Sequence, residues 1–401
     1  MDREALLKEL VIREAPTKIF FLVIDGLGGL PVNGKTELET ASTPNMDRLA
    51  YEGACGLLHP VLPGLTPGSG AGHLSLFGYD PLKYDIGRGI LEALGVGADV
   101  RKGDLTCRGN YATFENGVIT DRRAGRIPTE VNRRLTAKLA QEIKEIDGVQ
   151  VFLYPGMEHR FVVVFRGEGL SDDLTDADPQ KNGLPPEKAK ALSPNAKRAE
   201  EVVNKFIERA TEILKDDHPA NTVLLRGFSL PPDIPSMEEL YGLRCASVAY
   251  YPMYRGLAQL LGMEPLEAGP EPEDAFNVVK ENRDRYDFFY IHIKKTDSYG
   301  EDGAFDKKVE MIEKVDKALP VLLEAKPDVL VITGDHSTPS VLKAHSWHPV
   351  PILLWSLYVL PSKVSSFGES ECLKGSLGIM RAVDLMPLVL ANALRLKKYG
   401  A

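Results

Sequence analysis

Three dense apolar runs in this chain each lead into an acidic residue. KIFFLVIDG ends at Asp25, YDFFYIHIKKTD at Asp297 and DVLVITGDHS at Asp335. Short runs this rich in aromatic and β-branched residues read as strands buried on both faces, the state of a parallel sheet. Between the last two lies FDKKVEMIEKVDKALPVLLEA, which has a helical period. Strand, helix, strand at this spacing predicts right-handed crossover units. Ligands of open parallel sheets bind beyond the carboxyl ends of the strands. The three carboxylates are therefore expected on one rim.

The rest of the chain fits around that sheet. Thr43-Pro44 opens a predicted helix, and the glycine-rich TPGSGAGH follows at 66–73. From about residue 85 to 235 the texture changes. Strand-like pieces (GNYATF, GVITD, VQVFLYP, HRFVVVFRG, NTVLLRG) mix with two helices, PTEVNRRLTAKLAQEIKEI and SPNAKRAEEVVNKFIERATEILK. Residues 171–195 are polar and proline-rich, a long loop. The simplest organisation is an α/β core made of 1–84 and 236–401, with mainly parallel strands, interrupted by an inserted α+β domain at 85–235.

Composition excludes several classes. A net charge of −9 disfavours nucleic acid as a partner. No apolar run of about 18 residues predicts a membrane span. The N-terminal stretch lacks the apolar region of a signal peptide. Cys55, Cys107, Cys245 and Cys372 lie far apart with no CxxC pair, so free thiols and a cytoplasmic setting are expected.

Asp335 is followed directly by His336, and nine residues later by His345. Carboxylates with imidazoles suit Mn²⁺ or Zn²⁺, and two such ions clamp a phosphoryl group. A single acid after a strand is more often a turn former, but three of them with GDHS and a serine turn point jointly to a two-metal site. The serine turn is not the hydrolase elbow G-x-S-x-G, since residues 67–71 read PGSGA. Beside metal ions, Ser69 becomes a candidate nucleophile toward phosphorus. His73, four residues on, shares its face if a helix starts there, and is read as support for the serine turn.

Forked guanidiniums suit phosphate and carboxylate. Arg122, Arg123 and Arg126 cluster in DRRAGRIP. Arg160, Arg226 and Arg255 are further candidates, as is a lysine just before Asp297, where Lys294 and Lys295 stand. Any one of these alone is more often a solvated surface charge.

Taken together, IDGLGG, TPNMDRLA, PGSGAGHLSLFGYDP, DRRAGRI, LLRG, KKTDSYGEDG and GDHSTPSVLKAHSWHPVP resemble the archaeal-type, cofactor-independent (2,3-bisphosphoglycerate-independent) phosphoglycerate mutases of the alkaline phosphatase superfamily. The likeness runs from Lys18 to the C-terminal helix. It implies an alkaline-phosphatase-like three-layer core and an inserted substrate-binding domain. It places Ser69 on the family's nucleophile. One metal would be held by Asp25, Ser69, Asp335 and His336. The other would be held by Asp297 and His345 with a third ligand four residues after Asp297. The family usually has histidine there; this chain has Glu301. Gly70, Gln180 and Arg255 also depart from the family, where Asp, His and Lys are common.

The resemblance implies interconversion of 3-phosphoglycerate and 2-phosphoglycerate through phosphoserine. It implies two divalent ions, manganese first, with zinc, cobalt or magnesium as alternatives. The partner expected is a small phosphorylated hydroxy acid, held by Arg122, Arg123, Arg126, Arg160, Arg226, Arg255 and Lys295. Two rivals stand beside it. One is a phosphotransferase or phosphatase acting on another small alcohol such as homoserine. The other is a binding module without turnover.

Overall fold

The computed structural model describes residues 3–84 and 86–400. The chain divides into two compact units, Met1–Asp85 with Ile234–Ala401, and Ile86–Asp233. The expected break after residue 84 falls at residue 85, which lies outside the described residues.

In the first unit the eight strands found among the described residues form one sheet. Their order is Glu264–Pro265, Cys245–Ala249, Phe288–Ile293, Ile19–Ile24, Val329–Thr333, Val350–Ser356, Ala54–His59 and Gly378–Arg381. Neighbours are parallel except around Val350–Ser356, which runs antiparallel to both its partners. The fold is thus mixed α/β with a mainly parallel sheet, as the apolar runs predict.

Ile19–Ile24 sits between the other two acid-led strands. Ile24 pairs with Ile293, and Val23 with Thr333. All six of its residues are buried, and each large apolar side chain so buried contributes about 1.5–3 kcal/mol. The three strands therefore end level with one another. The chain segments leaving them, which carry Asp25, Asp297 and Asp335, emerge on one rim.

The helix Phe305–Leu323 lays Met311, Ile312, Val315, Leu319 and Leu322 into the core. Its buried Asp316 accepts from the backbone N–H groups of Asn45 (3.2 Å) and Met46 (2.7 Å). This caps Pro44–Glu52, whose own Thr43 makes no side-chain cap bond. A distant carboxylate thus satisfies N–H groups that every helix start leaves free.

The second unit is an antiparallel sheet in the order Val118–Asp121, Leu105–Glu115, Arg160–Arg166, Val149–Pro155 and Glu145–Ile146. Thr222–Ser229 pairs with Leu105–Glu115 off that path. Two helices, Thr129–Glu142 and Lys197–Leu214, contribute Leu135, Leu139, Val203 and Phe206 to its core. The first stops short of the expected Ile146. Glu145 and Ile146 pair instead with Gln150 and Val149. Asp147 and Gly148 form the two-residue loop, both with positive φ (49° and 79°). Asp-Gly is the preferred pair for such a hairpin, and it overrides the helical period there.

Among the described residues no helix is long and apolar enough to cross a membrane. The four cysteines are free and buried.

Candidate metal centre and nucleophile

Ser69 is the first residue of the helix Ser69–Leu76, after Gly68 in an extended conformation. The helix packs tightly against the Asp335 backbone. A Cβ on Gly72 would lie 2.3 Å from the Asp335 carbonyl oxygen. His73 donates from Nδ1 to the Ser69 carbonyl at 2.8 Å. A carbonyl only accepts, so this bond puts the proton on Nδ1. The same nitrogen stands 3.2 Å from Asp335 Oδ2. His73 thus ties the serine turn to a strand end, the supporting role the spacing predicts.

Around Ser69 the structure brings Asp25, Asp335 and His336 together, all with 0% exposure. His336 Nε2 lies 3.4 Å from Ser69 Oγ, 3.3 Å from Asp25 Oδ1 and 3.2 Å from Asp335 Oδ2. Burial favours the protonated acid, yet the His292 hydrogen bond and the Lys294 charge hold the Asp25 carboxyl well below its usual range. The Asp335 carboxyl is also lowered. Burial and Asp25 oppose this, and His336 and His73 outweigh them.

A second group joins Asp297, His336 and His345. Two hydrogen bonds decide which histidine serves which group. The Thr338 hydroxyl donates to Asp297 Oδ1 at 2.6 Å and so receives from His336 Nδ1 at 3.0 Å. The His336 lone pair is then on Nε2, toward Asp25 and Asp335. His345 Nδ1 donates to the Pro67 carbonyl at 3.1 Å. Its Nε2 lone pair faces Asp297 Oδ1 (3.5 Å) and Glu301 Oε1 (3.8 Å). Asp297 and Glu301 lie on one face of the helix Lys295–Glu301. The groups therefore sort as Asp25, Asp335, His336 and Ser69, and as Asp297, His345 and Glu301.

Both groups suit divalent cations. Asp25 Oδ1 and Asp335 Oδ2 are buried carboxylate oxygens that accept no hydrogen bond, and buried polar atoms rarely remain so. The donor set is oxygen-rich with imidazole, which fits Mn²⁺ well.

Two side chains at this site, His292 and Tyr254, carried no role in the sequence, and Lys294 was one of two candidate lysines. His292 donates from Nε2 to Asp25 Oδ2 at 3.1 Å. Tyr254 stacks on it with ring centroids 3.8 Å apart. Lys294 Nζ lies 2.5 Å from Asp297 Oδ2, 3.2 Å from Asp25 Oδ2 and 3.2 Å from the Tyr254 hydroxyl. Burial alone would lower the Lys294 pKa, but Asp25 and Asp297 raise it. The signal for His292 was a lone polar residue inside FFYIHI. A strand covered on both faces must give such a residue a partner.

Lys295, the lysine expected at substrate, points elsewhere. Its Nζ is 3.5 Å from Glu271, and Lys294 is the one that meets the acids. Arg255 is held by Glu267 at 3.0 Å. In the second unit, Arg122 makes a forked pair with buried Asp178 at 2.7 and 2.6 Å. It also donates to Gln180 Oε1 at 3.3 Å. Arg226 lies 3.8 Å from the same aspartate. These charges are already partnered.

Arg123, Arg126 and Arg160 differ. All three are exposed, and none has a carboxylate within 4.0 Å among the described residues. Asp121 builds the turn that carries Arg123 and Arg126 by accepting from the Arg123 N–H (2.8 Å) and the Gly125 N–H (2.7 Å). Ala124, Gly125 and Arg126 all have positive φ (44°, 62° and 54°), a strained run for two residues with side chains. Buried His159 feels all three. Burial and then the charges of Arg160, Arg123 and Arg126 lower its pKa.

Comparison with known proteins agrees with this picture. A family model described as 2,3-bisphosphoglycerate-independent phosphoglycerate mutase matches residues 50–221. A protein of Aquifex aeolicus, named a probable 2,3-bisphosphoglycerate-independent phosphoglycerate mutase, is 59% identical over 98% of each chain. One of the same name from Thermus thermophilus is 56% identical over 100% of both. The solved cofactor-independent phosphoglycerate mutase of Thermoplasma acidophilum superposes with a TM-score of 0.78. It is 32% identical, covering 94% of this chain and 100% of its own. With relatives this similar along its full length, the chain belongs to the 2,3-bisphosphoglycerate-independent phosphoglycerate mutases.

Proposed function

We propose that this protein interconverts 3-phosphoglycerate and 2-phosphoglycerate through a phosphorylated Ser69, beside two cation sites. The observation that carries the reading is the approach of Ser69 Oγ to His336 Nε2, 3.4 Å, next to carboxylate oxygens that lack partners. The names of the full-length relatives point the same way.

Divalent cations held by Asp25, Ser69, Asp335 and His336, and by Asp297, His345 and Glu301, would lower the serine hydroxyl pKa and neutralise phosphoryl charge. The chain's own groups do the rest. Ser69 Oγ attacks phosphorus, the bond to the substrate's 3-oxygen breaks, and that oxygen takes up a proton as glycerate forms. The free first-turn N–H groups of the Ser69 helix favour the phosphoryl oxygens. Lys294 contributes a positive charge beside them. The 2-hydroxyl of glycerate then attacks phosphoserine, Ser69 regains its proton, and 2-phosphoglycerate results. Arg123, Arg126 and Arg160, with no carboxylate within 4.0 Å among the described residues, take the substrate carboxylate, and the Ile86–Asp233 unit is the substrate-binding domain.

The test is a coupled assay for 2-phosphoglycerate, on metal-stripped protein and again with Mn²⁺ restored. Turnover should require the metal, and Ser69→Ala should abolish it while the protein stays folded. Turnover by that variant would sink the phosphoserine step. Absence of turnover by the folded wild-type protein with any metal would favour phosphoryl transfer to another small alcohol, with homoserine and ATP tried next.

A further inference from the structure

Lys308 is a lysine in the wrong place. It lies on the helix Phe305–Leu323 at a core-facing position, with 0% exposure. Its Nζ donates to the carbonyl of Gly28 at 3.1 Å and to that of Thr338 at 2.9 Å. No carboxylate of the described residues lies within 4.0 Å of it. Burying an ammonium on neutral acceptors costs several kcal/mol, so a hydrophobic residue would serve a purely structural core better.

Its two acceptors belong to the two loops that carry the first cation group. Gly28 is three residues past Asp25, and Thr338 is two past His336. The loops also touch directly, through Thr338 N–H to Gly28 O at 3.0 Å. Thr338 is itself fully buried. Its hydroxyl sits between Asp297 Oδ1 (2.6 Å) and His336 Nδ1 (3.0 Å), so it touches one ligand of each group. The space is tight: a Cβ on Gly300 would lie 2.3 Å from the Thr338 carbonyl oxygen that Lys308 holds.

We propose that Lys308 and Thr338 form a positioning pair for both cation groups, in which Lys308 clamps the Thr338 loop and the Thr338 hydroxyl sets the His336 tautomer and the Asp297 orientation. Neither touches substrate. The inference rests on the reading above that these groups hold cations. Partners that orient metal ligands in this way are worth about 10- to 100-fold in metal affinity.

The test is Mn²⁺ binding to metal-stripped full-length protein by calorimetry, for wild type, Lys308→Met and Thr338→Val. Thermal unfolding of each metal-free protein is recorded beside it. Thr338→Val keeps shape and volume, so it keeps the proposal testable if Lys308→Met fails to fold. Expected is Mn²⁺ affinity weakened about 10-fold or more in Thr338→Val with a melting temperature near wild type. A folded Lys308→Met should show the same loss. Wild-type affinity in folded Thr338→Val, or in folded Lys308→Met, overturns the positioning role and leaves the cation sites standing. If the wild-type protein itself binds no divalent cation, both readings fall together.

Discussion

Lys294 Nζ stands 2.5 Å from Asp297 Oδ2, three residues along the same segment, and reaches back to Asp25 at 3.2 Å. One cation thus bridges an acid from each ligand group. In metal-free protein it offsets the repulsion of those carboxylates.

Lys294→Met should therefore destabilise the metal-free protein by about 3 kcal/mol, the low end for breaking a buried pair, since the lysine is partly exposed. Saturating Mn²⁺ should close most of that gap, because without the competing ammonium the variant binds the ion more tightly than wild type and gains more from it. Denaturant unfolding with and without Mn²⁺ measures both. A metal-free variant as stable as wild type would remove Lys294 from this role.

Glu301 offers a carboxylate where the family resemblance expects imidazole. Glu301→His should raise affinity for Zn²⁺ relative to Mn²⁺, because imidazole is the softer donor. Glu301→Ala should weaken one of two binding events. Competition titrations of the two ions read this directly. An unchanged preference would mean that the exposed glutamate stays off the ion.

The arginines of the second unit should separate by partner. Arg123→Ala, Arg126→Ala and Arg160→Ala should each raise KM for 3-phosphoglycerate about 10-fold or more, the worth of one charged hydrogen bond, with little change in stability. Arg122→Ala should cost about 3 kcal/mol of stability, because it strands the buried Asp178 carboxylate. Steady-state kinetics with thermal unfolding checks the split, and the reverse pattern would refute it.

Burial pushes the Glu369 carboxyl up from 4.5 to about 7, although Thr36 and the Gly29 N–H donate to it. Between those values the folded chain keeps a proton that the unfolded chain has lost. Stability from this group is thus full below pH 4.5 and falls as pH rises toward 7. Glu369→Gln should flatten that part of the metal-free stability profile. A slope as steep as wild type would assign it to other groups.

The central strands were legible because burial on both faces leaves a local mark, an unbroken apolar run with an acid just beyond it. Asp25 and Asp335 could be placed on one rim from that pattern alone. Glu301 came into view only through the family resemblance, and the helix Lys295–Glu301 that sets it on one face with Asp297 carried no signal that was read. The hairpin at Asp147-Gly148 carried its own signal, a turn dipeptide that outweighed a continuing helical period.

Other features have no local mark. Lys308 follows Phe305 and precedes Ile312 at helical spacing, so a lysine falls on the core stripe, but its acceptors are 30 and 280 residues away. The partners of Arg122 and Arg255, and the choice of Lys294 over Lys295, depend on which carboxylate the fold brings within reach. The tautomers of His336 and His345 depend on Thr338 and the Pro67 carbonyl. The sequence by itself determined the parallel core and the residue types able to bind cations and phosphate. Tertiary structure alone decided which atoms of those residues face one another, because hydrogen bonds and ion pairs act over about 3–4 Å, while the chain separates their partners by tens to hundreds of residues.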